Sequence, residues 1–162
     1  MKLPSFITDR LFDRLLTRVA EAHEPDVVIG ADYLRRWWVI PRNRLFNVYL
    51  HNIRRSDDDR ALHDHPWINC SILLDGSYVE HTIEAGGVNR RVVRTAGDVV
   101  FRLPGAAHRL EIADGPCWTL FLTGPTWRSW GFHCPNGWRH WRDFTNPADP
   151  SKIGRGCGEV EL

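Results

Sequence analysis

The sequence predicts an all-β domain, built as a barrel or jelly roll and preceded by one amphipathic helix. From residue 33 onward, short apolar or alternating runs are separated by turn residues at regular spacing, and we count roughly eight or nine of them. Residues 5–22 instead show apolar positions at helical spacing. A chain of 162 residues can bury one core unaided. We therefore expect a single domain with a helical extension (1–32), a barrel (33–124) and an aromatic-rich tail (125–162).

The predicted helix has an apolar face and a charged face. Ser5 is placed to cap its start, because a serine hydroxyl can accept a bond from a free backbone N–H of the first turn. The apolar face carries Leu11, Phe12, Leu15, Leu16 and Val19. We expect this face to pack on the outside of the barrel or across a dimer interface. Pro25 and Gly30 then signal a turn into the β region.

The β region begins with a predicted hairpin. Residues 33–40 and 45–53 are predicted to form strands, and Pro41 is expected at the first corner of the turn between them. The stretch HDHPWINCSILLDG at 63–76 ends in a buried strand. Further strands are predicted at 77–83, 90–95, 98–103, 108–112 and 118–124, with a glycine-rich turn at 85–89.

Two histidines stand just before the buried strand of residues 63–76. Side chains alternate between the two faces of a strand, so His63 and His65 would point the same way. Neutral imidazole binds zinc, iron, nickel and copper, but a pair needs a third ligand to form a usable site. His108, in the stretch GDVVFRLPGAAHRLEI, is the best candidate.

Both stretches resemble the two motifs of the cupin superfamily. The first motif has the form H-x-H-x(3,4)-E-x(6)-G, which His63, His65 and Gly76 match, with Asn69 at the glutamate position. The second runs roughly G-x(5)-P-x-G-x(2)-H, which Gly97, Gly105 and His108 match. The chain departs from the family at three further points: Asp57 replaces a glycine, Pro104 lies one residue late, and Ile112 replaces an asparagine.

The resemblance implies a fold and a metal site. The fold would be the cupin-type double-stranded β-helix, a small antiparallel jelly-roll barrel. One divalent transition metal would be bound in its mouth by His63, His65 and His108, with iron favoured and nickel, zinc, manganese or copper as alternatives. Because this fold supports many activities, the resemblance indicates a site more directly than a reaction.

Several other residues are candidates for roles near this site. Asn69 is expected to hydrogen-bond to a ligand rather than to coordinate the metal, since a neutral oxygen is a weak donor. Glu80 is a substitute carboxylate, and Tyr78 shares its strand parity. Cys70 follows His65 at a separation similar to that of the active-site cysteine in cysteine dioxygenases; a small buried cysteine is the alternative interpretation. Arg102 is a possible contact for an anionic substrate.

The tail is rich in tryptophan and arginine. Trp130 and Trp138 would lie over the barrel mouth and stack on a planar substrate, or they would pack only on other aromatic residues. Nucleic-acid binding is not expected, because the net charge is only +1.

Composition sets the remaining expectations. The N-terminal stretch breaks its apolar residues with charges, so we expect neither a signal peptide nor a membrane span. The four cysteines show no paired spacing, which predicts a reduced, cytoplasmic protein. An amphipathic helix and eight tryptophans offer excess apolar surface, which predicts a homodimer.

The favoured function is that of a metal-dependent cupin enzyme, a mononuclear iron oxygenase or dioxygenase acting on a small organic molecule in the barrel. Two alternatives stay open. One is a non-enzymatic module that binds a small ligand or a metal. The other is a metal-free sugar isomerase or epimerase that uses a histidine as its base. An enzyme and a binding module need the same pocket, so the sequence does not separate them.

Overall fold

The computed structural model describes residues 1–30, 32–57 and 61–158. Helix α1 spans Ser5–Leu15 and continues into a π-helical turn at Leu16–Ala20, and α2 is the short segment Trp141–Phe144. The strands, in chain order, are β1 (Val27–Ile29), β2 (Leu34–Trp38), β3 (Asn47–Ile53), β4 (Leu62–His63), β5 (Asn69–Asp75), β6 (Ser77–Glu84), β7 (Val88–Thr95), β8 (Val99–Arg102), β9 (His108–Glu111), β10 (Cys117–Thr123), β11 (Gly131–Cys134), β12 (Gly137–His140), β13 (Thr145–Asn146) and β14 (Asp149–Ile153).

Twelve of these strands form two antiparallel six-stranded sheets. The first sheet has the order β1-β2-β3-β10-β5-β8 and the second has the order β12-β11-β4-β9-β6-β7, while β13 and β14 form a separate hairpin. The core between the sheets is formed by Leu34, Ile53, Leu73, Tyr78 and Leu110, together with Cys117. This arrangement confirms the predicted all-β jelly-roll barrel with one N-terminal amphipathic helix.

Helix α1 covers the outer face of the first sheet. Leu15 packs with Trp37, Leu50 and Leu74, and the Phe12 ring lies 5.7 Å from that of Trp118. The side of the helix that becomes buried is therefore the predicted one.

The prediction that Ser5 caps α1 is wrong. Pro4 takes the cap position in an extended conformation, and no side chain caps the first turn. The backbone carbonyl of Ser5 instead accepts a hydrogen bond of 2.9 Å from the Thr8 hydroxyl. Ser5 is thus already helical, one position too late in the chain for its hydroxyl to cap the helix.

Strands from outside the predicted barrel range of 33–124 also belong to the two sheets. Strand β1, from the predicted extension, pairs with β2, and β11 from the predicted tail pairs with both β4 and β12. The turn after β5 requires Gly76, whose φ is +80° and whose position would bring a Cβ atom to 2.8 Å from the Cβ of Cys117.

The tail is attached to the barrel through a buried carboxylate. Asp64 has no exposed surface. It accepts hydrogen bonds of 2.9 Å from the Gly131 backbone N–H, the Arg128 guanidinium and the Trp138 indole. Asp64 also contacts His133 Nε2 at 3.1 Å, and its bond to Gly131 fixes the start of β11.

The structure corrects the expectation of four reduced cysteines. Cys134 and Cys157 form a disulfide, while Cys70 and Cys117 are free. The β13–β14 hairpin returns the chain toward β11, which brings together two cysteines that lie 23 residues apart in the sequence. Among the described residues, no helix is long and apolar enough to cross a membrane.

Candidate metal centre

Three segments that are distant in the sequence bring the histidines together. Strand β4 is only two residues long and lies between β9 and β11, so that His63 faces His108 on one side and Phe132 on the other. His65 follows in the next loop, where its backbone carbonyl accepts a hydrogen bond from Gly105 N at 3.3 Å. The loop that carries the third histidine thus also positions the second.

The three imidazoles are arranged for a shared ion. One ligand nitrogen from each of His63, His65 and His108 lies within 4.8 Å of the others. The Nε2 atoms of His65 and His108 are 2.9 Å apart. Two nitrogens that bind one zinc ion at about 2.1 Å lie at most about 4.2 Å apart, so a small ring rotation would let one ion contact all three imidazoles.

Burial keeps two of these rings in the form that binds metals. Burial lowers the pKa of both His65 and His108 well below the usual value. The nearby His63 and the Arg102 guanidinium lower both pKa values further. Both rings are therefore neutral near pH 7, with a lone pair available on nitrogen.

A carboxylate stands behind two of the histidines. Asp57 Oδ2 lies 3.8 Å from His63 Nδ1, and Glu80 Oε1 lies 3.6 Å from His108 Nδ1. Asp57 is itself held by the Leu110 backbone N–H at 2.7 Å and by the Tyr33 hydroxyl. Neither distance is a hydrogen bond, and His108 Nδ1 has no hydrogen-bond partner among the described residues. A carboxylate that accepts a hydrogen bond from a ring N–H orients a metal-binding histidine and increases its basicity, so a small shift of either side chain would give Asp57 or Glu80 this role. In the sequence, Asp57 is marked only by its departure from the family glycine, and that departure was the available signal.

Glu80 is engaged by two arginines. Its side chain is 1% exposed and accepts hydrogen bonds from Arg102 Nε at 2.9 Å and Arg94 Nε at 2.8 Å. Arg102 also donates to Asn69 Oδ1 at 3.5 Å. Glu80, Arg102 and Asn69 thus form a buried polar layer behind His108. Arg102 borders the cavity, but its guanidinium is paired with the Glu80 carboxylate.

The histidines open into a cavity of about 420 Å³ with many aromatic side chains in its walls. Trp67, Phe121, Phe132, Phe144 and Trp130 are among them. Of the two candidate tryptophans of the tail, Trp130 therefore borders the cavity, where it stacks on Trp141 with ring centroids 5.8 Å apart. Trp138 lies elsewhere, with its indole bonded to Asp64.

Of the remaining candidate residues, some border the cavity and others do not, depending on which face of the strand they occupy. Tyr78 is buried and borders the cavity, and burial raises the pKa of its hydroxyl. Ser71 also borders the cavity, whereas its neighbour Cys70 does not. Burial raises the pKa of the Cys70 thiol, which disfavours the reactive thiolate.

Two cavity residues were missed by the sequence analysis. His51 on β3 is buried and borders the cavity, and Arg36 on β2 donates a hydrogen bond of 2.9 Å from Nε to His51 Nε2. The only signal was strand parity, because His51 shares a face of β3 with Ile53; burial gave none, since Leu50 and Asn52 on the opposite face are buried as well.

The sequence matches no protein-family model, and no curated protein is significantly similar to it. Solved structures do share its fold. HppE in its Fe(II) form aligns with 63% of this chain and 56% of its own at 13% identity, with a TM-score of 0.52. The polyketide cyclase RemF from Streptomyces resistomycificus aligns with 67% of this chain and 75% of its own at 19% identity, with a TM-score of 0.52.

A third similar structure contains a double-stranded β-helix domain. An uncharacterized conserved protein from Klebsiella pneumoniae with a double-stranded β-helix domain aligns with 65% of this chain and 89% of its own, at 17% identity and a TM-score of 0.50. This chain therefore has the double-stranded β-helix fold. At these identities the similarity shows the fold and not the activity.

Proposed function

We propose that this protein is a mononuclear metal-dependent enzyme, an oxygenase or dioxygenase that acts on a small organic molecule in the barrel. The observation that carries the proposal is the convergence of His63, His65 and His108 at one end of the cavity. Two of these rings have a carboxylate behind them. A structural core has no need for three adjacent imidazoles that face a cavity.

Iron is placed first because the proposed reaction needs a redox-active ion; three imidazoles do not by themselves select iron over zinc or copper. Three neutral imidazoles would leave an ion its full charge and open coordination positions, and Fe(II) in such a setting would supply one-electron chemistry with dioxygen. One protein of the same fold, HppE, is an Fe(II) protein. Nickel, zinc, manganese and copper also accept imidazole, so metal analysis has to decide among them.

The protein's own residues would orient the ligands and exclude water. Asp57 and Glu80 would hold His63 and His108 in one ring orientation, because each carboxylate attracts a protonated Nδ1. The aromatic walls would limit water around the reacting atoms, and low local polarity strengthens every charged interaction there.

Metal content tests this proposal directly. Protein purified without a nickel column should carry close to one transition-metal ion per chain, and His63→Ala, His65→Ala or His108→Ala should each abolish this binding. His81→Ala is the matched control, because His81 lies on β6 and bonds to Glu111 outside the histidine cluster. Full metal content in the His108→Ala protein would contradict the proposed ligand set.

Oxygen consumption then separates an enzyme from a binding module. The iron-loaded protein should consume dioxygen when a member of a panel of small organic molecules, charged and uncharged, is added, and the His65→Ala protein should not. A protein that binds iron stoichiometrically but consumes no oxygen with any such compound would favour the binding module.

A further inference from the structure

Strands β2 and β3 form one wall of the cavity, and this wall carries a positively charged side chain, Arg36. Arg36 and His51 are directly opposite each other in the β2–β3 pair, and both border the cavity. Arg36 Nε donates to His51 Nε2 at 2.9 Å, and the guanidinium lies over the Tyr49 ring, 4.8 Å from its centroid. The two contacts fix the direction of the guanidinium.

The charge of Arg36 is not neutralised by a carboxylate among the described residues. Two other arginines do have carboxylate partners: Arg102 is paired with Glu80, and Arg35 is paired with Asp32 at 2.6 Å. His51 is a neutral partner, because burial and the Arg36 charge hold its pKa well below the usual value. The pair therefore carries one positive charge at the cavity wall. Burying a cation without an anionic partner costs free energy. An anionic ligand that pairs with Arg36 would offset this cost, so the cavity should favour anions.

One aromatic ring lies between this cation and the histidine cluster. The Phe121 ring centroid is 5.1 Å from that of His51 and 5.9 Å from that of His65. Trp67 contacts both the Phe121 and the His65 rings. A molecule that spans from Arg36 to the histidines would therefore lie along an apolar, aromatic wall.

We infer that the cavity binds a small aromatic carboxylic acid, with its carboxylate on the Arg36 guanidinium and its ring along Phe121 and Trp67. A guanidinium binds a carboxylate through two parallel N–H donors, and Nε of Arg36 is already used by His51. The cavity of about 420 Å³ lies within the size range of small-molecule sites. The orientation of the far end of the acid toward His65 and His108 rests on the proposed function.

The test compares benzoate with benzamide, which has nearly the same shape and no charge. Binding is measured by calorimetry on the full chain after treatment with a chelator, so that no metal can bind the carboxylate. Benzoate should bind at least about 10-fold more tightly, because a hydrogen bond between two ionised groups is roughly twice as strong as one between neutral groups. Equal affinities in the unmodified protein overturn the inference without any variant.

Three substitutions assign the effect to Arg36. Arg36→Gln should remove the preference for benzoate, and Arg36→Lys should retain part of it, because the charge remains while the planar donor pair is lost. Arg35→Gln is the matched control: it removes an arginine from the same strand that is paired with Asp32 and does not border the cavity, so the preference should stay. A preference that persists in a folded Arg36→Gln or Arg36→Lys protein at its full value overturns the assignment.

The outcome is independent of the metal. If the protein binds no metal but prefers benzoate through Arg36, the proposed function fails and this inference stands. If it binds metal but does not distinguish benzoate from benzamide, this inference fails and the proposed function stands.

Discussion

Replacing Glu80 with glutamine tests the buried polar layer behind His108. Glutamine keeps the size of the side chain and removes its charge, so Arg102, which is only 6% exposed, would lose its anionic partner. Breaking a buried ion pair from one side costs about 3–5 kcal/mol, because the remaining charge is left uncompensated. For a chain of this size that loss corresponds to a melting temperature lower by roughly 6–20 °C.

The assay is denaturant unfolding of chelator-treated protein, so that metal binding does not contribute to the measured free energy. A second measurement follows metal affinity by competition with a chelator. Glu80 lies 3.6 Å from His108 Nδ1, and loss of such a carboxylate typically weakens metal binding about 10–100-fold.

Glu84→Gln is a matched control on the same hairpin. Glu84 on β6 bonds to Arg90 on β7 at 2.6 Å, but both side chains are at least half exposed. An exposed ion pair contributes at most about 1 kcal/mol, so this variant should unfold almost like the unmodified protein. If Glu80→Gln and Glu84→Gln change the free energy of unfolding equally, the reasoning from burial is refuted.

Three further predictions concern the frame of the barrel. Cys134→Ser should lower the free energy of unfolding by about 3 kcal/mol under oxidising conditions, whereas Cys70→Ser should change it little; equal effects would contradict the disulfide. Gly76→Ala should cost at least about 1 kcal/mol more than Gly86→Ala, because both glycines have positive φ but only Gly76 has a neighbour within 4 Å of a Cβ atom. The free energy of unfolding of the chelator-treated protein should decrease as the pH falls below 6.5. Burial lowers the pKa of His51 in the folded state, so below this pH only the unfolded chain binds a proton at His51. In unfolding at pH 7 and pH 5, a His51→Gln protein should lose part of this dependence; an unchanged dependence would assign the effect to other groups.

Local chemistry explains which features the sequence could predict. The β2–β3 hairpin was predictable because turn residues interrupt two apolar runs, and α1 was predictable because its apolar positions recur at helical spacing. His63 and His65 were identifiable as a pair because they stand two residues apart. In each case the signal lies within a few residues of the feature.

The missed features depend on contacts between distant segments. Arg36 and His51 meet only through the β2–β3 register, and the Cys134–Cys157 disulfide depends on the return of the β13–β14 hairpin. Arg102 was predicted only as a possible contact for an anionic substrate, and its buried partner Glu80, 22 residues away, could not be predicted because no local sequence pattern marks it. Pairing of this kind has no periodicity along the chain, so a single sequence does not reveal it.

The position of β4 between β9 and β11 also determines when a growing polypeptide can complete the histidine cluster. A ribosome releases His63 and His65 well before His108, and the edge of β4 stays open until Phe132 has emerged to pair with His63. A nascent chain that stops before β11 therefore has all three imidazoles but lacks the neighbouring strand that holds the first of them in place. An ion bound as proposed would therefore meet its completed site only after β11 has been translated.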